Sequence, residues 1–502
     1  MITAKNPLLA SDVYKMGHME QYAPGTTKVY SHLVARSNKQ FDKTVFFGLQ
    51  YYLDAYLKTP LEPWMAEEFL HYRNRILGAS SPVVEQKIRA LCDLGYWPIR
   101  IKAVPEGSVM PVRNVLMTIE NTLPEFYWTV GFVESLILKL WYPITVASCC
   151  YKYRRLVDHY FAETVAEEQQ FLREFTVHDF GYRGDSSEEG AAISGAAHLL
   201  SFSGSDTVPA LPFLDRYYNP GDADDNSTLP RDLMLSVPAS EHSVMCSFGR
   251  EDEKAAFHHM LDTYPSGIVS IVSDTYNVYR VLTEFAEDLK PRILEREGKV
   301  VFRPDSGDPE NIICGDPLAP SGTPEQKGAI RLLEEMFGST LNDKGYHILN
   351  PKVGLIYGDG MYYERYARTL QRMREMGFAA SNLVIGVGGI LRNHSRDTLG
   401  FAMKATYVEV DGEARAIEKD PVTDHSKKSL KGLLRLELDD RLQFVTYDQQ
   451  SPEEADGGLL RTVFENGRIL RRTDIMSVRR VIEESLNLQR TANSFRSTLL
   501  SL

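Results

Sequence analysis

GIVSIVSDTY (267–276), KVVFRPDSGDP (299–309), KVGLIYGDG (352–360) and NLVIGVGGI (382–390) share one pattern: a short apolar run that ends in small, acidic or glycine residues. None of the four alternates polar with apolar residues. A strand that is apolar on successive positions is buried on both faces, the condition met in a parallel sheet covered by helices. Three earlier runs follow the same pattern, FTVHDFGYRG (175–184), LLSFSGSDT (199–207) and MLSVPASEHS (234–243). Between them lie segments with apolar residues at three- and four-residue spacing, such as SSEEGAAISGAAHLL, EDEKAAFHHMLDTY, NVYRVLTEFAEDL, PEQKGAIRLLEEMF and YYERYARTLQRMREM. Seven such runs joined by helices predict an irregular β/α barrel over residues 150–395. In such a barrel the polar strand tails gather on one face, and the site forms there.

Outside this region the texture is different. In residues 1–149, WPIRIKAVPEG (97–107) and VLMTIEN (115–121) alternate like strands with one wet face, and PEFYWTVGFVESLILKLW (124–141) reads as a buried helix opened by Pro124. In residues 396–502 come FAMKATYVEV, ARAIEKD, LLRLEL, LQFVTYD and LLRTVFENGRIL, the last with an Asn466-Gly467 hairpin turn. The expected class is therefore α/β: an irregular β/α barrel plus a discontinuous α+β domain, in which the 396–502 antiparallel segment packs with the 1–149 domain.

The 502 residues carry 56 Lys+Arg against 68 Asp+Glu, a net charge of −12, with 43% hydrophobic and 25% charged residues. That composition is globular, and its acidity argues against a general nucleic-acid or membrane-surface binder. An anionic ligand would need a local basic pocket. Cys92, Cys149, Cys150, Cys246 and Cys314 form no C-x-x-C pair, which fits a reducing compartment rather than a disulfide frame or zinc site. The N-terminus lacks a signal-peptide core, and the apolar stretch 131–150 is interrupted by Glu134, Lys139 and Pro143, so a cytoplasmic protein is expected.

Several strand tails can carry chemistry. HDFGYRGDSSEEG places Asp179, Phe180 and Arg183 ahead of a helix start with a possible Ser186/Glu189 capping box, an arrangement suited to a phosphate. FRPDSGDP adds Arg303, Asp305 and Asp308, IVSDTYN adds Asp274 and GSDT adds Asp206. One carboxylate at a loop start is usually an N-cap; several on one rim suit a magnesium–diphosphate complex. GVGGIL (386–391) and GDG (358–360) would let backbone N–H groups approach a phosphate, although GVGGIL fails as a dinucleotide fingerprint. His242, after SVPASE, is a candidate nucleophile or proton carrier. LRNHSRDTLGFAMK and KDPVTDHSKKSLKG concentrate Arg392, Arg396, Lys404, Lys419, Lys427 and Lys428, candidates for the local basic lining.

LLASDVYKMGHMEQYAPGTTKVYS, TVFFGLQYYL, IKAVPEGSVMPVRNVL, HDFGYRG, SVPASEHS, FRPDSGDP and SRD, in this order, closely resemble the nicotinamide phosphoribosyltransferase family over about residues 7–480. The resemblance implies a type II phosphoribosyltransferase barrel and a homodimer with shared active sites, in a bacterial or phage member of the family. The implied reaction joins nicotinamide and phosphoribosyl diphosphate to nicotinamide mononucleotide and diphosphate, with Mg²⁺, in NAD salvage. It further implies that Phe180 and the other subunit's Tyr14 sandwich the pyridine ring, with Asp206, Arg303 and Ser270 at the carboxamide. Phosphoribosyl diphosphate or product phosphate falls to Arg183, Arg303, Asp305, Gly358, Asp359, Gly388 and Gly389, with Arg36, Arg396, Lys404 and Lys427 from the partner. The implied catalytic set is His242, Asp274 and Asp305, with His242 phosphorylated by ATP to couple its hydrolysis to synthesis. Mg²⁺ would be held mainly through the diphosphate, with Asp274 and Asp305 as the protein ligands in question. The competing readings are a nicotinate phosphoribosyltransferase, a catalytically silent dimeric binding protein of the same fold, and a different barrel enzyme such as a phosphate-binding aldolase or isomerase. The last would need a Schiff-base lysine, which no strand tail supplies, or a paired acid and base at a strand end.

Overall fold

A computed structural model describes residues 6–36, 41–219, 229–423, 428–441 and 443–487. The chain divides into two compact units, one of Met1–Ser148, Leu214–Thr228 and His394–Leu502, the other of Cys149–Phe213 and Leu229–Asn393.

In the second unit five strands form a parallel sheet in the order Val177–Asp179, Leu383–Val387, Val353–Tyr357, Glu297–Arg303, Ser266–Val272. The two edges are joined through two further extended runs by single parallel bridges, Asp179 to Ser205, Gly204 to Leu235 and Ala239 to Ser270. The bonds that close the ring run from Asp179 N–H to Gly204 O (3.0 Å), Ser205 N–H to Leu235 O (3.1 Å) and Ser270 N–H to Pro238 O (2.9 Å). All seven apolar runs thus stand in one parallel ring in chain order. Val269, Ile271, Val300, Phe302, Val353, Leu355, Leu383 and Ile385 are buried, and the helices Glu253–Thr263 and Pro324–Phe337 pack on two of the strands. Alternate residues, among them Ser270, Val301, Arg303 and Gly354, lie on the other face of the sheet.

The first unit is built on a seven-stranded antiparallel sheet in the order Glu413–Ala416, Ala402–Val410, Thr26–Val34, Val115–Asn121, Ile99–Ala103, Arg461–Glu465, Arg468–Ile469. Three strands from the N-terminal part of the chain stand at its centre, flanked on each side by two from the C-terminal part. The expected hairpin is present: Glu465 pairs with Arg468 across Asn466 and Gly467, both with positive φ (50° and 76°), as a two-residue primed turn requires. Helices Pro63–Leu77 and Pro82–Leu94 each start with proline and end at a left-handed glycine, Gly78 and Gly95.

The 124–141 segment is a series of short helical pieces that leads into the long helix Trp141–Thr164. By length and composition Pro124–Thr164 does pass for a membrane span, contrary to the expectation from its charged residues. Sixty-seven per cent of its apolar window is buried inside the protein and Glu134 pairs with Lys15 at 2.6 Å, so it is a core helix. All five cysteines are free thiols.

Candidate active site

The strand tails of the barrel converge. Phe180 follows Val177–Asp179, and its N–H donates to Val387 O at 2.8 Å, which fixes it between the first and last strands of the ring. Its ring lies against Gly386, where a Cβ would fall 2.4 Å from ring carbons Cδ2 and Cε2 and 3.1 Å from Gly358 Cα. A Cβ on Gly358 would in turn meet Asp305 Oδ1 at 1.9 Å. Only glycine allows Phe180, the GDG loop and the Asp305 loop to close up in this way. Gly388 borders the Phe180 carbonyl, and Gly389 abuts Gly184 in the turn that carries Arg183. Arg183 is exposed and has no ion pair or hydrogen bond among the described residues.

Asp206 stands beside Phe180 through His178, whose ring lies 4.9 Å from the Phe180 ring and whose Nε2 is 2.8 Å from Asp206 Oδ1. Ser236 Oγ also donates to that oxygen. Burial alone would raise the Asp206 pKa, but His178, Ser236 and Arg303 hold it below the ordinary value of 3.8, so the carboxylate is ionised with Oδ2 free of these bonds. Arg303 ends its strand with its N–H on Ser273 Oγ (3.1 Å) and Nη2 on Ser240 O (2.9 Å), while its buried Nε has no protein partner. Ser270 is 4% exposed and its Oγ is equally unpartnered. These two donors at the strand ends are what a polar ligand would satisfy.

The acidic side of the rim is a second cluster. His242 Nε2 lies 3.3 Å from Asp274 Oδ1, and Asp274 Oδ2 accepts from Ser306 Oγ at 2.6 Å. Asp305 has its pKa raised above 3.8 by burial and by Asp274 and Asp359, against the pull of Arg303 and His242. His242 heads a five-residue helix and is half exposed.

The remaining predicted residues belong to the first unit. Tyr14 lies on Val13–Glu20, 58% exposed, edge-on to His18 at 4.9 Å. Lys404 is in register with buried His32, and its pKa is lowered by burial and by Arg36, Lys419 and Lys15, against the pull of Glu134. Arg36 Nε donates to Gly400 O at 3.0 Å, and exposed Arg396 pairs with Asp397 at 2.9 Å. Lys427 lies outside the described residues.

Two sequence expectations are corrected here. The helix after HDFGYRG is capped by Ser187, which accepts from Gly190 N–H, one residue later than the Ser186/Glu189 box. Arg392 does not line a basic surface: it is buried, bonded to Asp179 (2.8 Å) and Asp185 (3.2 Å). His178, Ser236 and Ser240 were not singled out from the sequence, because a lone histidine or serine carries no signal until its partners are known.

The parallel ring thus brings Phe180, Asp206, Asp274, Arg303, Asp305 and the glycines of two loops to one mouth, and comparison with known proteins shows the class of protein. Residues 175–468 match the nicotinate phosphoribosyltransferase (NAPRTase) family, and residues 6–65 match the nicotinamide phosphoribosyltransferase N-terminal domain. The chain belongs to the nicotinate phosphoribosyltransferase family, a family of pentosyltransferases. The nicotinamide phosphoribosyltransferase of Acinetobacter baylyi is 42% identical over 97% of this chain and 99% of its own length. That of Xanthomonas campestris is 37% identical over 94% and 97%. Human nicotinic acid phosphoribosyltransferase shares the fold, with a TM-score of 0.56 at 15% identity over 95% of this chain and 93% of that one.

Proposed function

We propose that the chain is a nicotinamide phosphoribosyltransferase, which forms nicotinamide mononucleotide and diphosphate from nicotinamide and phosphoribosyl diphosphate. The observation that carries the choice of base is Asp206, an ionised carboxylate beside the Phe180 platform. It accepts from a carboxamide NH₂ and repels the carboxylate of nicotinate. The full-length relatives named for the same reaction support this reading.

The reaction is a displacement at the anomeric carbon, with positive charge developing on the ribose. In this reading Phe180 and Asp206 aim the ring nitrogen, the Arg303 guanidinium neutralises the departing diphosphate, and Arg183 with the Gly388–Gly389 turn holds the phosphate. A bound Mg²⁺ would neutralise diphosphate charge. Asp305 and Asp274 fit it: burial, and after it the neighbouring Asp274 and Asp359 carboxylates, raise the Asp305 pKa, and a cation there would offset both. Such an ion would take one or two of these carboxylates and would fill the rest of its shell with diphosphate oxygens and water.

The reading extends to a cytoplasmic homodimer in which the partner contributes a Tyr14 ring, Arg36, Arg396, Lys404 and Lys427, and to ATP as a second substrate. The γ-phosphoryl group of ATP would pass to His242 Nδ1 with ADP leaving, since Nε2 faces Asp274 Oδ1, and Asp274 would stabilise the charged imidazole through that Nε2–H. His242→Ala is expected to abolish phosphate release from ATP and the stimulation of synthesis by ATP, measured as product formed per ATP consumed.

Isotope-traced formation of nicotinamide mononucleotide, with and without Mg²⁺, tests the assignment; turnover of nicotinate in preference to nicotinamide would reverse it. Asp206→Asn is expected to narrow the nicotinamide preference by about tenfold, the scale of one charged contact. An unchanged kcat/KM ratio for the two bases would remove Asp206 from the base site.

A further inference from the structure

Arg392 is 4% exposed, yet it makes two ion pairs, Nη2 to Asp179 Oδ2 at 2.8 Å and Nε to Asp185 Oδ2 at 3.2 Å. The two carboxylates flank the turn that carries Phe180, Tyr182 and Arg183, and the arginine itself closes the turn after the last strand, its N–H on Gly389 O at 2.9 Å. The side chain passes directly under that turn: a Cβ on Gly181 would fall 2.4 Å from Arg392 Cζ. Each carboxylate has a second duty. Asp179 Oδ1 accepts from Gly181 N–H (2.8 Å), and Asp185 Oδ2 accepts from Ser194 Oγ in the helix Glu188–His198 (2.8 Å).

We infer that Arg392 is a positioning residue that locks the ring-stacking turn (Phe180) and the phosphate turn (Arg183) to the Gly388–Gly389 loop, so that base and phosphate are gripped at a fixed separation. The inference rests on the proposed reading of the barrel mouth and deepens it. The Asp179 arm serves Phe180, and the Asp185 arm serves Arg183 and the start of its helix. A lysine cannot reproduce this function, because it is a point charge where a planar fork must meet two carboxylates in different directions. A small shift in either turn matters, since a misplacement near 1 Å costs a reaction of this kind about 10²-fold.

Two variants test the lock. In Arg392→Lys, kcat/KM is expected to fall about 30-fold or more, with KM rising for both substrates, and amide exchange at Gly181, Gly184 and Gly389 is expected to quicken while that of the Ser266–Val272 and Glu297–Arg303 strands stays unchanged. Asp185→Asn keeps the Asp179 arm, so its KM for phosphoribosyl diphosphate should rise about tenfold while that for nicotinamide changes less than about twofold. A merely structural role would lower stability and active fraction without this split. Folded Arg392→Lys with native KM values and native exchange would overturn the inference, as would equal KM changes for both substrates in Asp185→Asn; if Arg392→Lys does not fold, Asp185→Asn alone decides. The exchange measurement needs no substrate, so a failure of the proposed reaction, seen as no product from the native chain, remains distinguishable from a failure of the lock.

Discussion

Arg303→Ala is expected to lower kcat/KM for phosphoribosyl diphosphate by about 10²–10³-fold, the usual loss when one pre-aimed charge-stabilising donor is removed. The position explains the size of the effect. Arg303 ends a fully laddered strand, its backbone is bonded to Ser273 and one guanidinium nitrogen is fixed on Ser240 O, so the charge is held in place before any substrate arrives. It is also the cation that acts on both Asp206 and Asp305. Without it the carboxylate rim meets a polyanionic substrate with one fewer fixed cation, and Asp305 rises further. Arg303→Lys restores charge but not the fork, and should recover only part of the loss. Steady-state kinetics in both substrates, with circular dichroism to show an unchanged fold, measures this. A variant within about threefold of the native kcat/KM would remove Arg303 from the proposed role.

The second large effect is on stability. Arg392→Leu leaves Asp179 and Asp185 buried without their cation, and breaking a buried pair in this way costs about 3–5 kcal/mol. The pH dependence should reverse along with it. In the native chain burial would raise the Asp179 pKa, but Arg392 and His198 hold it below 3.8; its contribution is therefore present above the unfolded value and lost as pH falls through the folded one. In Arg392→Leu, burial, the largest influence on Asp179, is opposed by His198 and the hydrogen bonds from Gly181 and Ser205 but no longer by Arg392, so the folded pKa is expected above the unfolded one. Stability is then greatest in acid and declines as pH rises from about 4 towards the raised value. Denaturant unfolding from pH 4 to 8 should show the variant losing ground with rising pH, where this site in the native chain gains or holds it. Parallel curves for the two proteins would contradict the ion triad.

The barrel was legible because each of its seven runs carries its own signal, an apolar stretch closed by a polar tail. Two of these runs form only single bridges, yet the pattern found them, since hydrophobic burial rather than ladder length dictates composition. The rim residues Phe180, Asp206, His242, Asp274, Arg303 and Asp305 could be picked out for the same reason: they directly follow the runs. What stayed hidden depends on tertiary partners. Arg392 sits in a basic stretch and read as solvated surface, because nothing local reveals that Asp179 and Asp185, more than two hundred residues earlier, would enclose it. His178 was hidden in the same way, as its role lies in bonding Asp206 on the neighbouring run of the ring. The hairpin Ser339–Leu341 with His347–Leu349 was missed, since three-residue strands are too short to show a period.

One half of the barrel wall is stitched by multi-residue ladders and the other by solitary bridges. Phe180, Arg303 and Gly358 follow the sturdy staves, whereas Asp206 and His242 follow the slender ones. Segments with few backbone bonds open at the lowest energetic expense. Warming the enzyme should accordingly blur the choice between amide and acid vitamers proposed for Asp206 several degrees before it slackens the proposed hold on the activated sugar.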